Sequence, residues 1–162
     1  MFRAFLLGVF ASVILVISPP HASADEKKCA SDDKIYWTYS PVNPPKDASR
    51  APFDVSGKSE RTLSDYHGAG LVVNFWATWC IPCVREMPSL DRLQAKVKGD
   101  LIRVLAISED RGGPLKVKKF YAKEDIGNLP VILDKRGKLM RTSGVLGLPA
   151  TLLINPKGKV VG

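Results

Sequence analysis

The sequence is poor in histidine and cysteine. Its 162 residues hold two histidines, His21 and His67, and three cysteines, Cys29, Cys80 and Cys83. A structural zinc site needs four ligands from such side chains. Beyond Cys80 and Cys83 only Cys29 and His67 remain, because His21 falls in a segment read below as removable, so zinc is a poor fit. No G-x-G-x-x-G pattern is present, and nothing points to a dinucleotide site within the chain. The apolar run Ala4 to Ile17 is shorter than the roughly 17 to 25 residues of a membrane span. Basic residues outnumber acidic ones, 24 to 16. They are spread over turns and helix faces, with no recognisable binding module, which argues against a nucleic-acid partner.

At the N-terminus Met1-Phe2-Arg3 supplies one positive charge, the apolar run follows, and Ser18-Pro19-Pro20 ends it before Ala22-Ser23-Ala24. This order predicts a secretory signal over residues 1–24, cleaved after Ala24, with an uncleaved membrane anchor as the alternative. Lys28 stands where a bacterial lipoprotein signal has a small residue before its cysteine. Export takes the chain to the periplasm or cell envelope, where disulfides persist. Removing the segment takes away Arg3 and no acid, so the formal charge of +8 becomes +7, a balance that favours anionic surfaces or acidic partner proteins. Residues 25–50 are polar, with Pro41, Pro44 and Pro45 and no sustained period, and read as an extended arm. Within it Tyr36-Trp37-Thr38-Tyr39 reads as a strand packed on the domain or as a partner-binding patch. Cys29 is left as a free thiol or one that pairs between chains. The domain itself is expected over residues 51–162.

Its centre is the stretch Leu71 to Leu93. The β-branched and aromatic run Leu71-Val72-Val73-Asn74-Phe75-Trp76 gives way to an apolar set at Met87, Leu90, Leu93 and Val97, the pattern of a buried strand feeding a helix. Cys80-Ile81-Pro82-Cys83 therefore lies on the turn and first helical turn. The first N–H groups of a helix have no intrahelical acceptor and carry the positive end of its dipole, so a thiolate at Cys80 is stabilised there. Cys-x-x-Cys thiols reach pKa values of about 3.5 to 7.5, against about 8.5 for a free cysteine. A mixed disulfide formed by Cys80 can be resolved by Cys83, one turn away. Pro82 suits a helix start, where its missing N–H costs no bond. A purely structural disulfide is the alternative, although so small a loop restrains little of the unfolded chain.

Asn74-Phe75-Trp76-Ala77-Thr78-Trp79-Cys80-Ile81-Pro82-Cys83, followed by Glu86-Met87-Pro88, resembles the active-site region of the thioredoxin superfamily, in the branch of membrane-linked or periplasmic thiol–disulfide oxidoreductases that includes TlpA and ResA. The resemblance runs from about Ala51 to the end of the chain. It implies an α/β thioredoxin-like fold: a central mixed sheet flanked by helices, with an N-terminal hairpin and an inserted helix and strand. It also implies a protein disulfide reductase with no cofactor beyond the redox-active Cys80–Cys83 pair. Its partners would be disulfide-containing periplasmic clients, such as apocytochrome c or copper-site proteins, and a membrane-bound thiol donor. Pro149 matches the family's cis proline facing the disulfide, and Trp79, Pro82, Leu148 and Pro149 then shape a docking surface.

Two departures stand out. Thioredoxin has a buried aspartate where this chain has Asn74, which cannot take a proton from the resolving thiol. The branch instead has a glutamate three residues after its second cysteine, matched by Glu86, which lies one turn beyond Cys83 and is expected to influence its ionisation. An exposed first-turn acid favoured by the dipole is the alternative. The family also continues into a helix covering one sheet face, whereas this sequence ends at Gly162, just after its last strand.

Elsewhere Ala51 to Val55 and Arg61 to Leu63 read as a hairpin turning at Ser56-Gly57-Lys58, ahead of a loop that holds His67 in solvent. Pro88 is expected to kink the active-site helix. Leu101 to Ile107 reads as a strand, Leu115 to Tyr121 as a basic helix, Leu129 to Leu133 as a strand, Asp134 to Val145 as a turn and short helix, and Thr151 to Ile154 with Lys159 to Val161 as a closing hairpin. Three other functions are weighed against disulfide reduction. A Cu(I) chaperone would use the two soft thiolates, but copper carriers of this fold have three residues between their cysteines and a distant histidine ligand. A dithiol oxidase differs only in direction. A peroxidase of the fold needs a threonine where Ala77 stands.

Overall fold

Strand β4 (Gly70–Trp76) is the centre of the fold because its sequence offers apolar bulk on both faces: Leu71, Val73 and Phe75 are buried on one side, Asn74 and Trp76 on the other. In the computed structural model, which describes residues 38–57 and 59–162, β5 (Ile102–Ser108) lies parallel to β4, with Trp76 opposite Ser108. On the other side β7 (Ala150–Ile154) runs antiparallel, with Phe75 opposite Ala150. A parallel pair needs a crossover, and α1 (Ile81–Lys96) supplies it. A second crossover, α2 (Gly113–Lys123), leads to the two-residue β6 (Ile132–Leu133), parallel to β5.

Around this core lie the edge strand β1 (Lys46–Asp47), the hairpin β2 (Phe53–Val55) and β3 (Ser59–Arg61), and β8 (Lys159–Val160). The eight described strands form one mixed sheet in the order β1-β8-β7-β4-β5-β6-β2-β3. Helices α1 and α2 cover one face, where Trp76 stacks on Tyr121 with centroids 5.8 Å apart and tilts onto Phe120 at 5.1 Å. Each such pair adds about 0.5 to 1.5 kcal/mol beyond burial alone. The other face is covered by a 3-10 turn at Leu63–Tyr66 and the short α3 (Lys138–Thr142), over Val73, Phe75, Leu105 and Ile107, and Phe53 of β2 joins the same cluster.

Several expectations change in detail. The arm is not wholly outside the domain: residues from Thr38 belong to the same compact unit as the rest, and Lys46 and Asp47 pair with Val160 and Lys159. The edge of β8 presents unpaired backbone groups, and β1 takes them up, helped by the Lys159–Asp47 ion pair at 2.6 Å. Tyr39 is exposed and does not pack as a strand, though its hydroxyl donates to the Val161 carbonyl at 3.4 Å. Pro88, expected to kink the helix, lies inside α1, which runs from Ile81 to Lys96. Leu63 opens the 3-10 turn instead of extending the hairpin, and only Ile132–Leu133 of the expected Leu129 to Leu133 strand pairs. The expected signal, Cys29, Tyr36, Trp37 and Lys58 lie outside the described residues.

Candidate active site at the Cys80–Cys83 turn

The chain leaves β4 at Trp76, turns through Ala77, Thr78 and Trp79, and enters α1 with Cys80 as its N-cap residue and Pro82 in the first turn. Among the described residues no side chain caps this helix start, so its free N–H groups face whatever charge the cysteines carry. Cys80 and Cys83 are joined in a disulfide. Cys83 is fully buried, Cys80 is 6% exposed, and the residues on either side of Cys80, Trp79 and Ile81, are 65% and 68% exposed. The pair is thus asymmetric: one sulfur at the rim of an apolar surface, the other beneath it.

The turn is held from the neighbouring strand. Asp110, just past the end of β5, is 6% exposed and accepts from the Thr78 amide at 2.9 Å and the Thr78 hydroxyl at 2.8 Å. It also accepts from the Ser108 hydroxyl at 3.0 Å and pairs with the Lys116 ammonium at 2.8 Å. Burial pushes its carboxyl up, but these donors outweigh burial and hold it below the usual carboxylate range. Further along α1, Asp91 does a similar task for the loop before β6. It accepts from the amides of Asn128 at 2.7 Å and Leu129 at 3.0 Å and from the Asn128 side chain at 2.8 Å.

Glu86 is half-buried, one turn beyond Cys83, and its Oε1 accepts from Asn74 Nδ2 at 2.8 Å. Burial raises its pKa, and the bond from Asn74 pulls the other way. Asn74 also donates to the Thr151 hydroxyl at 3.1 Å, while its buried Oδ1 has no partner among the described residues. The residue that replaces thioredoxin's aspartate is therefore bonded to the glutamate that the family resemblance singles out.

The other wall is the segment before β7. The Leu148–Pro149 peptide is cis, the geometry the resemblance implies, and Leu148 packs against the apolar clusters of both sheet faces. Because Ala150 lies opposite Phe75, Pro149 reaches the sheet at the end of β4 where the redox turn begins. Trp79, Pro82, Leu148 and Pro149 thus converge on one end of the sheet. Leu146, which the sequence reading did not single out, is 98% exposed in the same segment.

The sequence reading also missed the carboxylates. Asp91 sits on the apolar side of α1, four residues after Met87, and that mismatch was the available signal. Asp110 follows the carboxyl end of a central parallel strand, a place where α/β proteins gather functional groups. Glu109 and Asp134 meet nearby. Burial first, and then the adjacent Asp134 carboxyl, push Glu109 up to about 8, with Arg141 opposing. The buried Oε1 of Glu109 and Oδ1 of Asp134 find no hydrogen-bond partner among the described residues.

Comparison with known proteins places this geometry. The AhpC/TSA family model matches residues 47–162. The thiol-disulfide oxidoreductase ResA of Oceanobacillus iheyensis is 32% identical over 150 residues, covering 93% of this chain and 76% of that one. ResA of Bacillus thuringiensis subsp. konkukian is 39% identical over 108 residues, 67% of this chain and 61% of its relative. The chain thus spans about three-fifths of the length of that curated relative. Among solved structures, the pneumococcal exposed lipoprotein thioredoxin Etrx1 of Streptococcus pneumoniae superposes with a TM-score of 0.60 at 30% identity, over 70% of this chain and 87% of that one. A thiol:disulfide interchange protein of Chlorobium tepidum gives a TM-score of 0.61 over 73% and 83% of the two chains, and at 24% identity it supports the fold alone. A half-sheltered Cys-x-x-Cys at a helix start, carried on this sheet and matched along this much of the sequence, leads to one assignment: the chain belongs to the AhpC/TSA family, in its ResA-like branch of thioredoxin fold.

Proposed function

We propose that the chain is an exported thiol–disulfide oxidoreductase that reduces disulfides in client proteins. The observation that carries this reading is the asymmetry of the pair, with Cys80 at the rim between exposed Trp79 and Ile81 and Cys83 fully buried. In the reduced protein the Cys80 thiolate attacks one sulfur of a client disulfide, and the other client sulfur leaves as a thiolate and takes up a proton. Cys83 then gives up its proton and attacks the Cys80 sulfur. The second client thiol departs and the Cys80–Cys83 disulfide remains, so two electrons have passed to the client. Glu86, half-buried beyond Cys83, tunes these ionisations, and Trp79, Pro82, Leu148 and Pro149 seat the client backbone.

Electrons return from a membrane-bound thiol donor, and the site of action is the periplasm or the envelope surface. Clients on the path to cytochrome c or to a copper centre fit the ResA resemblance. The direction follows from charge. Ile81-Pro82 places no cation between the cysteines, and Glu86 adds a negative group nearby, so the dithiolate gains less stabilisation than in a strong oxidant. Equilibration of the chain with glutathione buffers is expected to give a potential more negative than about −180 mV. A value near −120 mV, with rapid oxidation of unfolded dithiols, would turn the reading to a dithiol oxidase. Retention of Cu(I) through gel filtration against glutathione would turn it to a metal carrier.

A further inference from the structure

Charge is not evenly distributed between the two ends of the sheet. Strands β4, β5 and β6 run parallel, with Trp76 opposite Ser108 and Ser108 opposite Leu133. The chain therefore leaves all three strands at the end that carries the disulfide, and the Leu146 to Pro149 segment enters β7 from that end as well.

The carboxylates here are turned inward. Asp54, Asp110 and Asp134 are each at most 6% exposed. Asp110 is spent on Thr78, Ser108 and Lys116, Asp54 on Lys135 at 2.7 Å, and Asp134 on the Met140 amide at 2.7 Å. Glu109 is partly buried against Asp134. Glu86 is half-buried and bonded to Asn74. Glu60 is exposed, but it lies on the outermost strand, β3, four strands from β4.

The cations point outward. Arg111, Arg136, Lys138 and Arg141 are exposed, and among the described residues none has a carboxylate within ion-pair distance. Arg111 and Lys116 stand at the start of α2 on this side, while Lys123 at its far end pairs with Glu124. The opposite end is mixed: Asp65, Lys98, Asp100 and Lys157 are all exposed there. A solvated helix face explains scattered lysines, but it does not explain why one end hides its acids and the other displays them.

We propose that this cationic rim selects client segments bearing acidic residues next to their cysteines. The proposal rests on the oxidoreductase reading and names the substrate class of that site. Exposed Trp79, Ile81, Leu115 and Leu146 supply apolar contact, and the rim supplies steering. A surface of one sign around a reactive site raises the encounter rate of opposite charge by about tenfold or more at low salt.

The test uses two synthetic peptides with the same internal disulfide, one flanked by glutamates and one by lysines, and follows their reduction by the reduced chain. At about 10 mM salt the screening length is about 30 Å, and at about 1 M it is about 3 Å. The acidic peptide should react at least about tenfold faster at the lower salt, with the gap closing at the higher. The double variant Arg111→Glu/Lys138→Glu, checked for native circular dichroism, should lose most of that preference while reducing uncharged hydroxyethyl disulfide at the parent rate. Equal rates for the two peptides, or a gap that survives salt and charge reversal, would overturn the proposal and leave the oxidoreductase reading standing. Parent binding to phosphatidylglycerol vesicles without peptide preference would also overturn it, by giving the rim to a membrane. Failure to reduce hydroxyethyl disulfide at all would remove the oxidoreductase reading, and this proposal with it.

Discussion

Two segments meet at the disulfide and are held by different means. The redox turn, Ala77 to Cys80, is clamped from β5 by Asp110, which grips both the amide and the hydroxyl of Thr78 and is itself neutralised by Lys116. The opposite segment, Leu146 to Pro149, has no polar side chain. It is held by the packing of Leu148 and by the sheet pairing that starts at Ala150. Charge-assisted hydrogen bonds to a buried acceptor fix position and direction, whereas apolar packing fixes proximity and tolerates different partners. The difference suits the proposed chemistry: an attacking sulfur needs one geometry, and a surface for varied clients does not.

The largest expected effect lies at the clamped side. Cys80→Ser should abolish exchange, whereas Cys83→Ser should accumulate mixed disulfides through Cys80, visible as adducts on non-reducing gels. Next, Asp110→Ala should cost about 2 to 3 kcal/mol in urea unfolding, because it frees the Thr78 donors and leaves Lys116 without its buried partner. Its exchange rate should fall as well. Leu146→Ala on the unclamped side should change stability by less than about 0.5 kcal/mol, since the side chain is solvent-exposed, while slowing exchange with peptides more than with small disulfides. If Asp110→Ala proved as mild as Leu146→Ala, the contrast between the two segments would collapse.

Smaller effects concern the carboxyls. Glu109 holds its proton up to a pH of about 8, against a usual value of 4.5. Between those values the folded state keeps a proton that the unfolded chain has released, so stability falls as pH rises through the window and levels off above it. Glu109→Gln should therefore leave stability almost unchanged below pH 4.5 and raise it by about 1 to 2 kcal/mol above pH 8, the partial exposure of the group keeping the gain well under its ceiling. Paired urea titrations at the two extremes would show it. Smallest is Glu86→Gln, which removes a negative charge beside the cysteines. The pH–rate profile for exchange should move to lower pH, and an unmoved profile would make Glu86 a bystander.

The sequence made the centre legible because its signals are local. Leu71 to Trp76 is apolar on both faces, Met87 and Val97 mark the buried side of the next helix, and Cys80 with Cys83 fall at the junction. The thioredoxin-like sheet followed from resemblance to known proteins and agrees with the strand order found. What stayed hidden depends on contacts distant in sequence. Lys46 and Asp47 join the sheet by backbone pairing and by the ion pair to Lys159, 112 residues away, so no local side-chain pattern announces them. Asp110 reads as an ordinary loop acid until the parallel pairing of β4 and β5 brings it to Thr78, 32 residues away. The charge asymmetry was only half visible, because Leu115 to Tyr121 reads as a basic helix but the acids turn inward at one end only once the sheet is assembled.

The central claim is that Cys80 is the attacking thiol and Cys83 the sheltered one, and limiting alkylation of the reduced chain tests it most directly. Iodoacetamide would be added below stoichiometry between pH 5 and 9, and the labelled cysteine mapped by mass spectrometry. The structure predicts label on Cys80, rising with pH through a midpoint below the roughly 8.5 of a free thiol. Label appearing first on Cys83 would contradict the account.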